Sequence, residues 1–197
     1  GVKIKKLKSK NYLIYGKGLG SLVTKNIKEL NFGNSGTLAR LLIGLLSTTP
    51  GININLKGDR SLNKRSMKKL IELMTEFGAF FYPKNKSYFP LKLISTEMPI
   101  GIKYNAGVSA QLKSAVILAG LNSYGNTEIL ETSKSRDHTE KMLMGNDQII
   151  KIKEGREKLI KIFGRRYLNP IKIEVPGDPS SSAFFTAVTL MNRNSII

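Results

Sequence analysis

Three stretches of the sequence repeat one form, and that repetition limits what the chain can fold into. "GVKIKKLKSKNYLIYG" (1–16), "FGAFFYPKNKSYFPLKLI" (77–94) and "MGNDQIIKIKEGREKLIKIFG" (144–164) each read, from the glycine onward, as a strand, a polar turn and a second strand. Their leading glycines, Gly1, Gly78 and Gly145, recur at roughly 70 residues, the scale of a supersecondary unit. The segments between them also match. A polar turn and helix at Ser35 to Leu46 corresponds to "VSAQLKSAVILAGL" (108–121), the strand "GININL" to "GNTEIL", and the loop and helix "GDRSLNKRSMKKLIELM" to "TSKSRDHTEKMLM". Each unit therefore reads βαβαββ, which makes the chain an α/β (α+β) protein built from repeated units. Apolar positions nearly encircle the first helix of each unit, as in a helix buried among others, whereas "MKKLIELM" is amphipathic and lies nearer the outside.

Residue 1 falls where a helix should just have ended, and "PGDPSSSAFFTAVTLM" (176–191) begins a helix that no hairpin follows. The expected organisation is a fragment. Residues 1–175 form most of one domain with a truncated first unit, and 176–197 form a crossover and the first helix of a second domain. Pro176, Gly177 and Pro179 mark the crossover.

Composition narrows the function classes. Of 197 residues, 41% are hydrophobic, enough to bury a real core. No apolar run approaches the roughly 18 to 20 residues of a membrane span and no signal peptide opens the sequence, so a cytoplasmic protein without membrane partners is expected. The absence of cysteine excludes disulfides, thiolate metal sites and a cysteine nucleophile within these residues. A formal charge of +18 would suit a polyanion, but the lysines are dispersed among asparagines and isoleucines and form no block or helix stripe. Neither zinc-finger spacing nor an RNP-type aromatic pattern is present. The charge thus favours small anionic ligands over nucleic acid.

The loops that open the helices carry the chemistry. In "NFGNSGTLARLL" (31–42), glycines and small polar residues precede an apolar helix. A helix start exposes unpaired N–H groups and partial positive charge, and glycine lets an anion approach that backbone, so 33–37 suits a carboxylate or phosphate. An ordinary N-cap at Asn34 or Ser35 is the alternative. Arg40, one turn in, adds charge or tethers the helix. The equivalent turn has Ser109, Ala110 and Gln111, the last placing a polar amide where a core helix would take an aliphatic residue; capping is its alternative reading. The second loops offer Arg60, Lys64 and Arg65, then Lys134, Arg136 and His138. Arg65 and Arg136 are the better anion ligands because guanidinium grips carboxylate and phosphate at two points, with a solvated charge run as the alternative. His138, without metal-ligand partners or a nucleophile spaced around it, is structural or exposed. Asp59, Asp137 and Asp178 cap helices or pair with arginines. Neither a general acid nor a general base stands out.

Taken in order, "GNSGTLARLL", "GDRSLNKRSM", "VSAQLKSAVILAGL", "SRDHTEKML" and "PGDPSSSAFF" resemble the 5-enolpyruvylshikimate-3-phosphate synthase (3-phosphoshikimate 1-carboxyvinyltransferase) family over residues 31–191. The resemblance implies the enolpyruvyl transferase fold, with helices inside and sheets outside. It also implies transfer of the enolpyruvyl group of phosphoenolpyruvate to the 5-hydroxyl of shikimate 3-phosphate, releasing phosphate, by an enzyme that needs no metal or organic cofactor. By motif position, Asn34, Gly36 and Arg65 would lie at phosphoenolpyruvate and Gln111 between both substrates. Ser109, Ala110 and Arg136 would hold shikimate 3-phosphate, with Thr37 close by. Family members vary between Ser and Ala at position 110, and some lack the arginine of "SRDHTEKML". The family's proton-transfer groups have no counterpart here, so these residues alone are expected to be inactive, and the full-length enzyme is expected to be a monomer. Some members carry alanine at the position of Gly36 and resist glyphosate, so glycine implies sensitivity. UDP-N-acetylglucosamine enolpyruvyl transferase is the rival within the fold, but it usually carries a reactive cysteine where Arg60 stands. An RNA-binding module related to the RNA cyclases is a rival of another class.

Overall fold

The two complete repeats fold alike. The computed structural model describes residues 2–8, 10–24 and 26–192; Gly1, which leads the first hairpin, and residues 193–197 lie outside them. The first repeat runs β3 (Glu29–Asn31), α1 (Gly36–Ser47), β4 (Asn53–Lys57), α2 (Lys68–Glu76), β5 (Phe80–Tyr82) and β6 (Leu91–Ile94). The second runs β7 (Lys103–Ala106), α3 (Ala110–Gly120), β8 (Asn126–Glu131), α4 (His138–Leu143), β9 (Ile150–Lys153) and β10 (Lys158–Phe163). Each builds a four-stranded sheet, ordered β3-β4-β6-β5 and β7-β8-β10-β9. In both, the first two strands are parallel, joined by the long crossover such pairing requires, and the others are antiparallel. Ahead of them β1 (Lys3–Lys6) and β2 (Tyr12–Tyr15) form the first hairpin, exposed along both strands.

Alternation places the sheets outside. Ile54 and Leu56 of β4, Leu91 and Leu93 of β6, Ile129 of β8, and Ile160 and Ile162 of β10 turn into the core, while their neighbours face water or stay half-covered. The helices fill the interior. α3 is buried nearly all round, as its sequence predicts, and α1 buries Ala39, Ile43, Gly44 and Leu46. These two helices meet at Gly44, where an added Cβ would stand 2.5 Å from the carbonyl oxygen and 2.8 Å from the Cα of Ala115. Only glycine permits that approach. The approach is what brings the two helix starts side by side. At the far ends, the Asn122 side chain donates to the carbonyl of Thr48, so the pair is tied there too.

The leading glycines of the second and third hairpins, Gly78 and Gly145, sit at φ 103° and 86°, a backbone that L side chains rarely adopt. Last among the described elements is α5 (Pro179–Met191), capped by Asp178, whose carboxylate accepts the N–H of Ser180 at 3.0 Å; none of its residues is buried. Among the described residues, no helix is long and apolar enough to cross a membrane.

Candidate anion-binding site

Both helix starts are built the same way. Ser35 caps α1 and Ser109 caps α3, with backbone angles of φ −83°, ψ 93° and φ −86°, ψ 98°. Each hydroxyl accepts an N–H two residues inside the helix, from Leu38 at 3.1 Å and from Leu112 at 3.4 Å. The capping role expected at the first turn therefore belongs to Ser35, and Asn34 is released for other work. Gly33 turns the chain at φ 54°, and its N–H is taken by the Asn31 side chain at 3.0 Å.

Asn34 joins this turn to the next loop. Its amide donates to Asp59 at 2.8 Å and its carbonyl accepts from Arg65 at 3.0 Å, while the Asp59 N–H donates to the carbonyl of Gly33 at 2.8 Å. Asp59 also caps the 3-10 turn Leu62–Lys64 by accepting the N–H of Leu62 at 2.7 Å. The Arg65 guanidinium is thereby held over Gly36. A Cβ on Gly36 would lie 2.9 Å from Arg40 Nη1 and 3.3 Å from Arg65 Nη1. Burial, and then the adjacent charge of Arg65, lower the pKa of Arg40 from its ordinary value, although a guanidinium stays protonated.

Gln111 makes the link between repeats. Its amide donates to Thr37 Oγ1 at 2.8 Å and its carbonyl accepts from Arg40 at 3.0 Å, while Arg40 also donates to the carbonyl of Gly36 at 3.2 Å. Arg40 thus tethers the second helix start to the first, a role its position in sequence left open. Beyond Gln111 an open depression is lined by Ser109, Ala110, Gln111, Lys134, Ser135 and Arg136, with Val108 at its edge and no carboxylate in its lining. Asn34, Gly36, Thr37 and Arg65 therefore meet on the α1 side, Ser109, Ala110 and Arg136 on the α3 side, and Gln111 belongs to both. Arg60 and Lys64 are exposed on their loop, and His138 is exposed at the start of α4. Asp137 departs from expectation: it makes no side-chain cap and pairs with Lys141 at 3.0 Å instead of an arginine, and this partner holds its carboxyl below the usual range.

The sequence reading missed a buried charge cluster behind this site. Lys113, fully buried in α3, places its ammonium 2.8 Å from Glu131 at the end of β8 and 2.6 Å from Glu140 in α4, and Lys158 lies 4.0 Å from both carboxylates. Glu131 Oε1 also accepts the N–H and hydroxyl of Ser135 at 2.9 and 2.7 Å. Neither oxygen of Glu140 receives a well-directed hydrogen bond, so its contact with Lys113 is held by charge. Burial acts against both charges, but the hydrogen bonds and opposite charges outweigh it, raising the Lys113 pKa and lowering that of Glu131. Lys113, the one charged residue in α3, was the available signal.

Comparison with known proteins identifies the family and the fold. A family model described as EPSP synthase (3-phosphoshikimate 1-carboxyvinyltransferase) matches residues 1–197. Curated relatives of that name include one from Parvibaculum lavamentivorans, 40% identical over 200 residues covering 100% of this chain and 44% of the relative. Another, from Novosphingobium aromaticivorans, is 40% identical over 185 residues, covering 92% of this chain and 42% of the relative. The solved EPSP synthase of Acinetobacter baumannii superposes with a TM-score of 0.80 at 36% identity, over 96% of this chain and 42% of that one. The chain thus spans less than half the length of the relatives it matches.

Proposed function

Because the chain belongs to the EPSP synthase family, we propose that it acts in the transfer of the enolpyruvyl group from phosphoenolpyruvate to the 5-hydroxyl of shikimate 3-phosphate, with release of phosphate. In this reading Asn34, Gly36 and Arg65 hold phosphoenolpyruvate, Ser109, Ala110, Thr37 and Arg136 hold shikimate 3-phosphate, and Gln111 stands between the two. One observation carries it. Arg40, Arg65 and Arg136 surround two paired helix starts, and among the described residues none of these guanidiniums lies within 4.0 Å of a carboxylate oxygen. Positive charge gathered without a carboxylate in direct contact suits an anion; Asp178, held low first by its hydrogen bonds with Ser181 and Ser180, feels the Arg136 charge only from beyond that distance. Both proposed substrates are phosphorylated, and phosphoenolpyruvate adds a carboxylate.

These residues bind and orient. Fixing both anions in adjacent places replaces a bimolecular encounter by a local one, and amides and guanidiniums already in position need no reorganisation as charge shifts. The depression on the α3 side has no carboxylate or imidazole in its lining, and on the α1 side both oxygens of Asp59 are taken, by Asn34 and by the N–H of Leu62, so we assign proton transfer to groups elsewhere. We place the boundary between domains near residue 175 and the working enzyme, as a monomer, in the cytoplasm.

Shikimate 3-phosphate is expected to protect the full-length protein against thermal unfolding, with a rise in Tm that saturates with ligand concentration. An RNA-binding module would instead respond to oligonucleotide with a steep salt dependence and ignore the metabolite. Gly36→Ala gives a second test. The nearest neighbours of the new methyl are the guanidinium ends of Arg40 and Arg65 and then Leu62, side-chain ends that can give by a few tenths of an ångström, so stability should change by no more than about 1 kcal/mol. Displacing Arg40 and Arg65 by even a few tenths of an ångström should raise the KM for phosphoenolpyruvate and weaken inhibition by glyphosate. Steady-state inhibition with both proteins checks this, and an unaltered inhibition constant would reject the placement of Gly36.

A further inference from the structure

Resting on the reading above, we infer that Lys113 is a positioning residue: its buried contacts with Glu131 and Glu140 hold the 132–137 loop so that Arg136 faces the phosphorylated ligand. Lys113 touches no part of the depression itself. It lies two residues after Gln111, which puts it on the opposite side of α3, facing β8 and α4.

The two ends of the arginine loop are fixed through this one ammonium. Glu131, at the start of the loop, shares its Oε1 between Lys113 and both donors of Ser135, the residue directly before Arg136. Glu140, one helical turn after Arg136, meets the same ammonium. A hydrogen bond of 2.7 Å between Thr139 and Ser114 adds a further tie between α4 and α3. Arg136 is exposed and draws no fixed direction from burial, so its place depends on the backbone that carries it.

The repeat supplies the control. Counted from the serine caps, Lys113 corresponds to Ala39, a fully buried alanine in α1. The fold therefore does not need a lysine at this place. In the first repeat the arginine loop is fastened by Asp59, Asn34 and Arg65 on the surface. In the second, Val108 stands where Asn34 would be, and the fastening is transferred to the buried ion cluster.

The test is a set of kinetic cycles in the full-length protein with shikimate 3-phosphate as the varied substrate. Lys113→Met should raise its KM about tenfold, and Ser135→Ala, which removes only one hydroxyl bond, about threefold, with the KM for phosphoenolpyruvate moving less than about twofold. In an Arg136→Ala background both effects should vanish, because the residue they act through is gone. A folded Ser135→Ala protein with the parental KM, or effects of equal size in both backgrounds, overturns the inference, and Ser135→Ala decides alone if Lys113→Met does not fold. If Arg136→Ala itself leaves the KM unchanged, the assignment of Arg136 to the substrate fails, and the positioning role fails with it. An impaired Arg136→Ala beside unimpaired Lys113→Met and Ser135→Ala sinks the positioning role alone.

Discussion

Lys113→Met is expected to lower the stability of the protein by about 3 to 5 kcal/mol, because it removes one partner of a buried ion cluster and leaves two carboxylates facing a single, more distant cation. Methionine fills nearly the same volume, so the loss is electrostatic and not a cavity effect. Urea unfolding of both proteins measures it. Adding Glu140→Gln, which withdraws one uncompensated charge, should recover part of the loss, whereas a loss of less than about 1 kcal/mol in the single variant would mean that the cluster contributes little. The cluster also sets a pH window. Glu131 is depressed, so its contribution is fully present above its unfolded pKa of about 4.3 and is lost as pH falls through the lower folded value. Lys113 is raised, so its contribution is fully present below about 10.4 and is lost as pH rises through the higher folded value. The stability difference between parent and variant should be flat between those limits and shrink beyond them.

Arg65→Ala is the second large effect. Arg65 is exposed, anchored on one side by Asn34, and among the described residues has no carboxylate within 4.0 Å to lose. Its removal should therefore leave stability within about 0.5 kcal/mol of the parent. Its expected cost is in catalysis: kcat/KM for phosphoenolpyruvate should fall by on the order of 2 kcal/mol or more, about 30-fold, as for a charge-assisted pair with a carboxylate or phosphate. Lysine should restore only part of this, since a point charge cannot reproduce the two-point grip. Steady-state kinetics with the full-length protein decides the matter, and unchanged kcat/KM would remove Arg65 from the site.

Much of this arrangement was legible in the sequence because it is written in local terms. Hairpins announced themselves through Gly78 and Gly145, whose left-handed backbone needs glycine, and through alternating strands such as "KLIKIF". The serine caps and the apolar helices after them fixed both helix starts, and repetition implied that the starts would be related by symmetry. What escaped depends on tertiary contact. Arg40 looked like either a ligand or a tether, and only the packing of α1 on α3 reveals that it reaches Gln111, 71 residues away. Asp137 looked like a cap, but Lys141 one turn on was the stronger attraction. Lys113 disappeared into an apolar pattern because its partners, Glu131 and Glu140, lie in other elements. An ion cluster has no periodicity to betray it.

Anion recognition is shared between two helix starts in this reading of the site, and a titration of isotope-labelled protein with shikimate 3-phosphate, followed through its main-chain amide signals, tests this most directly. The amides of Thr37 and Gln111 should shift together along one saturation curve, and Arg136→Ala should weaken that curve at both. Shifts confined to one helix start, or to the outer sheet faces, would contradict it.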